Sequence, residues 1–230
     1  MEKLYIARDV VNTSFAHDAW VFGGYVRDVV VCNETSFNDV DICCPKNVNP
    51  LWIVRSLSTK YKVEKCDVQT PYIGIGIKYI ISYIINNILS VQFIVYDGDF
   101  SDWVDDHFSD MSCNLFYQSR TVQLGIVYVP EQFRLCQNPI DDIIKLTRSK
   151  VFDRISDPGP SFQARILLRR MRNMIIHRGW TCRNDILGET MDVCEDNYMK
   201  GIASSIDDYQ SERQRNALEC LPLYLRPDYQ

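Results

Sequence analysis

The residues best suited to chemistry in this chain are a glycine pair, Gly23 and Gly24, and two aspartates that follow it, Asp39 and Asp41. A helix that begins at a glycine pair exposes backbone N–H groups to which a phosphate can bind, since no side chain blocks its approach. Asp39 and Asp41 flank a single residue, so on a strand both carboxylates lie on the same face and can share a divalent cation. A phosphate site beside a cation site is the combination that phosphoryl transfer requires.

Local elements must place these residues side by side. The apolar residues 20–22 predict the end of a strand, and residues 25–31 predict a short buried helix directly after the glycines. Val40 is expected to turn toward the core of the next strand. A Gly-Gly pair alone also marks an ordinary tight bend, and Asp-x-Asp alone occurs on solvated strand edges. The functional interpretation therefore depends on the order of the parts.

That order resembles the nucleotidyltransferase superfamily of DNA polymerase β, in particular the head domain of tRNA CCA-adding enzymes and bacterial-type poly(A) polymerases. Their signature is Gly-Gly-x-Val-Arg-Asp followed by Asp-x-Asp, and residues 23–28 and 39–41 of this chain match it. The resemblance implies that Gly23 and Gly24 bind the triphosphate of a nucleotide, and that Asp39 and Asp41 are catalytic ligands of Mg²⁺ or Mn²⁺. Arg27 would either add positive charge near the phosphates or brace the turn together with Asp28.

A second segment, residues 108–115, is similar to the part of these enzymes that contacts the sugar of the incoming nucleotide. Asp110 and Asn114 fall on matching positions, which implies that both orient the ribose. The two arginines that precede this aspartate in the family are missing here. The match is therefore looser than at the first signature.

A third segment, residues 165–172, resembles the arginine-bearing neck helix that follows the head. Steps of 100° per residue place Arg165, Arg169 and Arg172 in one narrow stripe of the predicted helix. The resemblance implies that these arginines contact the nucleotide, because guanidinium groups fork onto phosphates or base edges. The alternative is an amphipathic helix whose charged side is only solvated.

The sequence as a whole predicts an α+β fold in two parts. Residues 1–135 would form a nucleotidyltransferase head with a mixed or antiparallel sheet and flanking helices, and residues 136–230 a helical neck-like part with a C-terminal segment. Strands are expected at 61–65, 73–85, 89–97 and 121–128, with a turn at Asn86-Asn87, and helices at 139–149 and 161–178. Residues 1–20 could form a helix or a strand, and Tyr25 could stack on a base or pack in the core.

One position weakens the expected metal site. Many enzymes of this superfamily carry a third carboxylate on the strand beside Asp-x-Asp, and in this chain that position is Gln92. Asp97 lies five residues later, so strand alternation points it to the other face. Asp39 and Asp41 would then bind the cation with help from the phosphates of the nucleotide, or the site would be impaired.

Composition limits the class of protein and its surroundings. The chain has 230 residues, a net charge of −5 and nine cysteines without zinc-like spacing, which favours an intracellular, cytoplasmic protein with reduced thiols. The apolar stretch at 71–96 is broken by polar residues, so no membrane span is expected. Ten Lys or Arg against two Asp lie within residues 145–183, a basic region suited to nucleotide phosphate or RNA.

Two functional hypotheses follow. The first is a metal-dependent, template-independent nucleotidyltransferase that adds a nucleoside monophosphate from an NTP to an acceptor hydroxyl, most simply an RNA 3′ end. The second is a protein with the same fold that has lost catalysis and binds a nucleotide, RNA or another protein. The complete glycine pair and Asp-x-Asp favour the first, and Gln92 favours the second. The oligomeric state stays open.

Overall fold

The computed structural model describes residues 1–69, 76–100, 111–121, 124–128, 140–154 and 170–183. The α-helices are α1 (Glu2–Ala16), α2 (Gly23–Tyr25), α3 (Pro50–Ser58) and α4 (Ile140–Arg148), and π-helical segments cover Val26–Val31 and Asn173–His177. The strands are β1 (Trp20–Phe22), β2 (Asp39–Cys44), β3 (Val63–Gln69), β4 (Ile77–Ile85), β5 (Leu89–Tyr96), β6 (Phe116–Thr121), β7 (Leu124–Tyr128), β8 (Val151–Phe152) and β9 (Thr181–Cys182). α2 and the π-helical segment after it form one continuous helix over residues 23–31, the glycine helix.

A seven-stranded sheet in the order β3-β4-β5-β2-β1-β6-β7 forms the centre of the fold. The β2–β5 pairing is parallel, and the other neighbouring strands of this sheet pair antiparallel. The predicted α+β class with a mixed sheet and flanking helices is therefore confirmed. The strand that carries both predicted metal ligands, β2, lies in the middle of the sheet.

Helices α1 and α3 cover one face of the sheet. Their buried residues recur at helical spacing, as in Ile6, Val10 and Ser14 of α1. Two residues fix where α3 begins. The Asn49 side chain accepts a hydrogen bond from Leu51 N, and Pro50 occupies the first helical position. Both helices pack on alternate residues of the central strands, which form one apolar core that includes Val40, Ile42, Ile81, Val91 and Phe93.

The opposite face, called the open face, is apolar only in part. Phe22, Cys43 and Phe116 are buried there in a separate cluster. Phe100 covers it, since its ring stacks on Trp20 with centroids 3.7 Å apart and meets Phe116 edge-on at 5.0 Å. The remaining residues of this face are mostly polar, and they include both predicted metal ligands.

The second part of the chain has its own small core. Phe152, Met171, Met174 and Trp180 are buried together, and strands β8 and β9 pair in parallel beside them. This region, expected to be helical, thus also contains two short strands. Gly179 has a φ of +69° just after Arg178, the C-cap of the second π-helical segment, a backbone conformation that commonly ends helices.

Several local expectations are confirmed and others are wrong. The β4–β5 hairpin turns at Asn86 and Asn87, whose φ values of 51° and 57° suit a tight turn between antiparallel strands. The single strand expected at 121–128 is wrong, because residues 116–121 and 124–128 form two antiparallel strands. Helix α3 was not predicted, although Asn49 and Pro50 are its sequence signal. Among the described residues, none of the helices has the length and apolar character needed to cross a membrane.

Candidate active site

The glycine pair forms the turn between β1 and the glycine helix, as the sequence predicted. Phe22 is extended, Gly23 follows with a φ of +74°, and the helix begins at Gly23. L-residues other than glycine rarely adopt this φ, so the turn requires Gly23. Both glycines are partly exposed, and no side chain of the described residues caps this helix start. Its first N–H groups are therefore accessible to a ligand.

The glycine turn lies directly against one of the two carboxylates. Phe22 pairs with Asp41 across β1 and β2, which places the next residue, Gly23, beside that side chain. A Cβ built on Gly23 would lie only 2.5 Å from Asp41 Oδ2, closer than real Cβ atoms come to other atoms. Glycine thus lets the backbone of the turn and the carboxylate of Asp41 occupy one small space.

Asp39 and Asp41 lie on the same face of β2 and are both partly exposed, while Val40 between them is buried. The chain holds the start of this strand through Lys3, whose Nζ donates to the backbone oxygens of Phe37 and Asn38, each at 2.8 Å. The alternation expected from the sequence is confirmed. Both carboxylates are thereby presented to the same side of the sheet.

Burial, and after it the nearby negative charge of Asp39, raise the pKa of Asp41 from 3.8 to about 7. The positive charges of Arg170 and Arg27 oppose this rise. Two carboxylates at close range disfavour each other's ionisation, and a divalent cation bound between them would relieve this repulsion. The two carboxylates and the adjacent glycine turn therefore fit one divalent cation with a bound phosphate.

Gln92 lies next to Asp41 on the neighbouring strand. It pairs with Asp41 on the parallel neighbour β5, and Ser82 of β4 pairs with Gln92 in turn. The expectation that Gln92 occupies the position next to Asp41 is confirmed. Asp97 forms an ion pair with Lys78 at 2.6 Å after the end of β5. Within the described ranges, no three His, Cys, Asp or Glu side chains gather into a potential metal site.

Arg27 braces the turn. Its Nε and Nη2 donate to the two oxygens of Asp28 at 2.8 and 3.0 Å, and its guanidinium lies 5.5 Å from the centre of the Trp180 ring. Bracing, one of the two roles that the resemblance implies, is confirmed, and a contribution of Arg27 near the phosphates stays a prediction. The charge of Arg27 still acts on the site, since it lowers the pKa of Asp41.

Tyr25 belongs to the core. It is 3% exposed and meets the Phe37 ring edge-on with centroids 5.2 Å apart. Burial raises the pKa of its hydroxyl to about 12. Of its two possible roles, packing is therefore correct, and stacking on a base is wrong.

Comparison with known proteins shows which fold this chain has. No protein-family model matches the sequence, and no curated protein matches it significantly. Among solved structures, an apo form of a CCA-adding enzyme has 11% sequence identity and a TM-score of 0.51, over 99% of this chain and 48% of that one. The chain has a nucleotidyltransferase-like fold. An apo form of a tRNA-processing enzyme has 15% identity and a TM-score of 0.47, over 80% of this chain and 44% of that one. The chain thus spans about half the length of the solved structures it matches.

The nucleotidyltransferase-like fold brings some predicted residues together. Asn114 lies two residues before Phe116, whose pairing with Phe22 puts Asn114 on the side where the glycine helix begins. Asp110, Arg165 and Arg169 lie outside the described residues. Arg172 is described and exposed. The nucleotide contacts predicted for these residues stay predictions.

Sequence reasoning missed Arg170, whose positive charge acts on Asp41. Its signal was present, since it is adjacent to Arg169 in the same basic run. The basic region itself is less open than its composition indicates. Several of its cations have partners within the chain: Lys145 pairs with Asp142, Lys150 with Glu34, Arg178 with Asp28 and Arg183 with Asp153.

Proposed function

We propose that this chain is a metal-dependent, template-independent nucleotidyltransferase that transfers a nucleoside monophosphate from an NTP to an acceptor hydroxyl at an RNA 3′ end. The observation that carries the proposal is the contact between Gly23 and Asp41. A turn with accessible backbone N–H groups and a pair of carboxylates share one space, in which even a methyl group would lie 2.5 Å from Asp41 Oδ2. The RNA acceptor rests on the resemblance to CCA-adding enzymes.

In this proposal each residue has a defined task. The N–H groups at the start of the glycine helix bind the triphosphate, and Asn114 and Asp110 orient the ribose. Asp39 and Asp41 hold Mg²⁺ or Mn²⁺, which when bound lowers the pKa of the attacking hydroxyl and shields the charge of the pyrophosphate. Asp41 must release its proton for this, because burial and Asp39 raise its pKa to about 7. Arg170, from the second part of the chain, adds positive charge near Asp41.

The alternative is a nucleotide-binding module without catalysis, and one observation favours it. The residue paired with Asp41 on β5 is the neutral Gln92. Two carboxylates carry two negative charges, which match one divalent cation, whereas a pair of divalent cations would need more neutralisation. Binding of nucleotide without transfer would follow if the chemistry needs the second cation.

Incubation with each radiolabelled NTP, Mg²⁺ or Mn²⁺ and a mixed RNA pool tests the proposal. Wild type should give labelled RNA, and Asp39→Asn and Asp41→Asn should each lower the rate at least a hundredfold. Asp67→Asn is the matched control, because this exposed aspartate lies in the same row of the open face on the edge strand β3. Its activity should equal that of wild type.

Three outcomes of this experiment would change the interpretation. NTP binding that depends on Asp41, without labelled product, would support the binding module. Neither binding nor product with any NTP would contradict both functions. Wild-type rates in both aspartate variants would remove Asp39 and Asp41 from the site.

A further inference from the structure

A buried carboxylate in the glycine helix, that of Asp28, binds one arginine next to it and another far along the chain. Asp28 is 4% exposed and accepts hydrogen bonds from both Nε and Nη2 of Arg27. Its Oδ2 also accepts from Arg178 Nη2 at 2.7 Å, and Arg178 lies 150 residues later. A buried carboxylate needs such partners, since a charge removed from water without them is strongly unfavourable. The position of Asp28 is therefore tied to Arg178.

Arg27 and Asp28 lie directly against the glycine turn. A Cβ on Gly24 would lie 3.6 Å from Arg27 Nη2 and 3.7 Å from Asp28 Oδ2, which is van der Waals contact. Trp180, two residues after Arg178, packs under the Arg27 guanidinium. A movement of Arg178 or Trp180 would thus be transmitted through one side chain to Gly24.

The other end of the glycine helix is also held by the second part of the chain. Arg148 Nε donates to Val31 O at 3.1 Å, and Cys32 Sγ contacts Thr147 O at 3.4 Å. Lys150 forms an ion pair with Glu34 just beyond the helix, at 3.1 Å. Helix α4 and the segment that follows it therefore fix where the glycine helix ends, while Arg178 holds the middle of this helix through Asp28.

We propose that Arg178 is a positioning residue of the nucleotide site, which acts through Asp28 to hold the glycine helix in the orientation that binds the triphosphate. The inference rests on the proposed function, because it assigns to the second part of the chain the geometry of that same site. Charge-assisted hydrogen bonds to a buried carboxylate are short and directional, so they fix orientation as well as distance. Arg178 does not itself need to touch the nucleotide.

Hydrogen exchange of backbone amides tests the positioning without any nucleotide. In Arg178→Met, amides of residues 23–31 should exchange at least tenfold faster than in wild type, while those of α3 keep their rates. Arg183→Met is the matched control, since Arg183, like Arg178, donates to a buried carboxylate. Its partner is Asp153, and none of its described hydrogen bonds reaches the glycine helix. Its exchange at residues 23–31 should equal that of wild type.

Unchanged exchange at residues 23–31 in Arg178→Met would overturn the inference. So would equal acceleration in α3, which would mean general destabilisation. If Arg178→Met fails to fold, Arg178→Lys decides, because it keeps the charge and gives up the planar fork. It should accelerate exchange at residues 23–31 by about threefold, and wild-type rates there would overturn the inference.

Titration with fluorescent analogues of the four NTPs links positioning to function. The dissociation constant should rise about tenfold in Arg178→Met, stay within threefold in Arg178→Lys and not change in Arg183→Met. If wild type binds no analogue, the proposed function fails while the hydrogen-exchange result still decides the coupling. If Arg178→Met binds the analogues as wild type does, Arg178 does not position the nucleotide site.

Discussion

The residues that lie in line with Asp41 across the open face form two unlike halves of one row. This row of paired residues runs from β3 to β6 in the order Asp67, Ser82, Gln92, Asp41, Phe22 and Phe116. On the β1 and β6 side the row is apolar and buried, and Phe100 covers it. On the β5, β4 and β3 side the row is polar and increasingly exposed.

The difference between the halves explains the properties of Asp41. The apolar half and the glycine turn remove water from the carboxylate, which is why its pKa is raised. The polar half leaves an approach from the side of Gln92 and Ser82. Asp41 thus has an apolar half beside it that excludes water and a polar half that leaves room for a ligand. Three substitutions test this division, in order of decreasing expected effect.

The largest effect is expected in the apolar half. Phe116 is fully buried, so Phe116→Ala should lower the free energy of unfolding by about 3–5 kcal/mol, through lost burial and the cavity left behind. Ser82→Ala in the polar half should change it by less than about 0.5 kcal/mol. Urea unfolding of both variants measures the contrast. Equal losses would mean that the two halves are not distinct in packing.

A smaller loss of stability is expected at Gly23, which lies beside Asp41 where the two halves meet. Gly23→Ala combines an unfavourable φ of +74° with a Cβ 2.5 Å from Asp41 Oδ2. Gly179→Ala is the matched control, because its φ is +69° and nothing lies within 4 Å of its added Cβ. The control should cost about 1–2 kcal/mol of stability for the backbone alone, and Gly23→Ala should cost more and also weaken NTP binding at least tenfold. Equal costs with intact binding would show that Asp41 moves freely away.

The smallest effect concerns the charge of Asp41 in metal-free protein. Its pKa is raised from 3.8 to about 7, so the folded state binds the proton more tightly than the unfolded state. The free energy of unfolding should therefore decrease as pH rises from about 4 to 7, and this loss should be complete above pH 7. Asp41→Asn lacks this proton, so its free energy of unfolding should decrease less than that of wild type between pH 4.5 and pH 8.

Urea unfolding at pH 4.5 and pH 8 in the presence of EDTA measures this difference. Asp67→Asn serves as the control, since it removes an exposed carboxylate from the same row. Its stability should follow pH as that of wild type does. Parallel pH profiles for wild type and Asp41→Asn would mean that water reaches the carboxylate after all.

The parts of the fold that were predictable depend on local patterns. The glycine turn, the alternation of Asp39 and Asp41, and the Asn86-Asn87 hairpin each follow from the backbone preferences of a few adjacent residues. These three features need no knowledge of distant contacts. The position of Gln92 beside Asp41 was expected from the resemblance to the nucleotidyltransferase superfamily, and the β2–β5 pairing confirms it.

The parts that were not predictable depend on tertiary partners. Nothing near Arg27 in the sequence shows that Trp180 lies under its guanidinium, or that Arg178 shares Asp28. Tyr25 is likewise decided by the Phe37 ring. Strand β6 was missed because its first residues, Phe116 and Tyr117, precede a polar stretch that gives no clear strand period.

The hydrogen bond between Asp28 and Arg178 also has a consequence for the order of assembly during synthesis. Its two residues are 150 positions apart, and a ribosome adds about 5–20 residues per second. Gly23 and Asp41 therefore leave the ribosome several seconds or more before Arg178 does. During that interval the sheet can pair while Asp28 still lacks its distant partner, and contacts of such long range form slowly. We expect nucleotide binding to be the last property that the growing chain acquires.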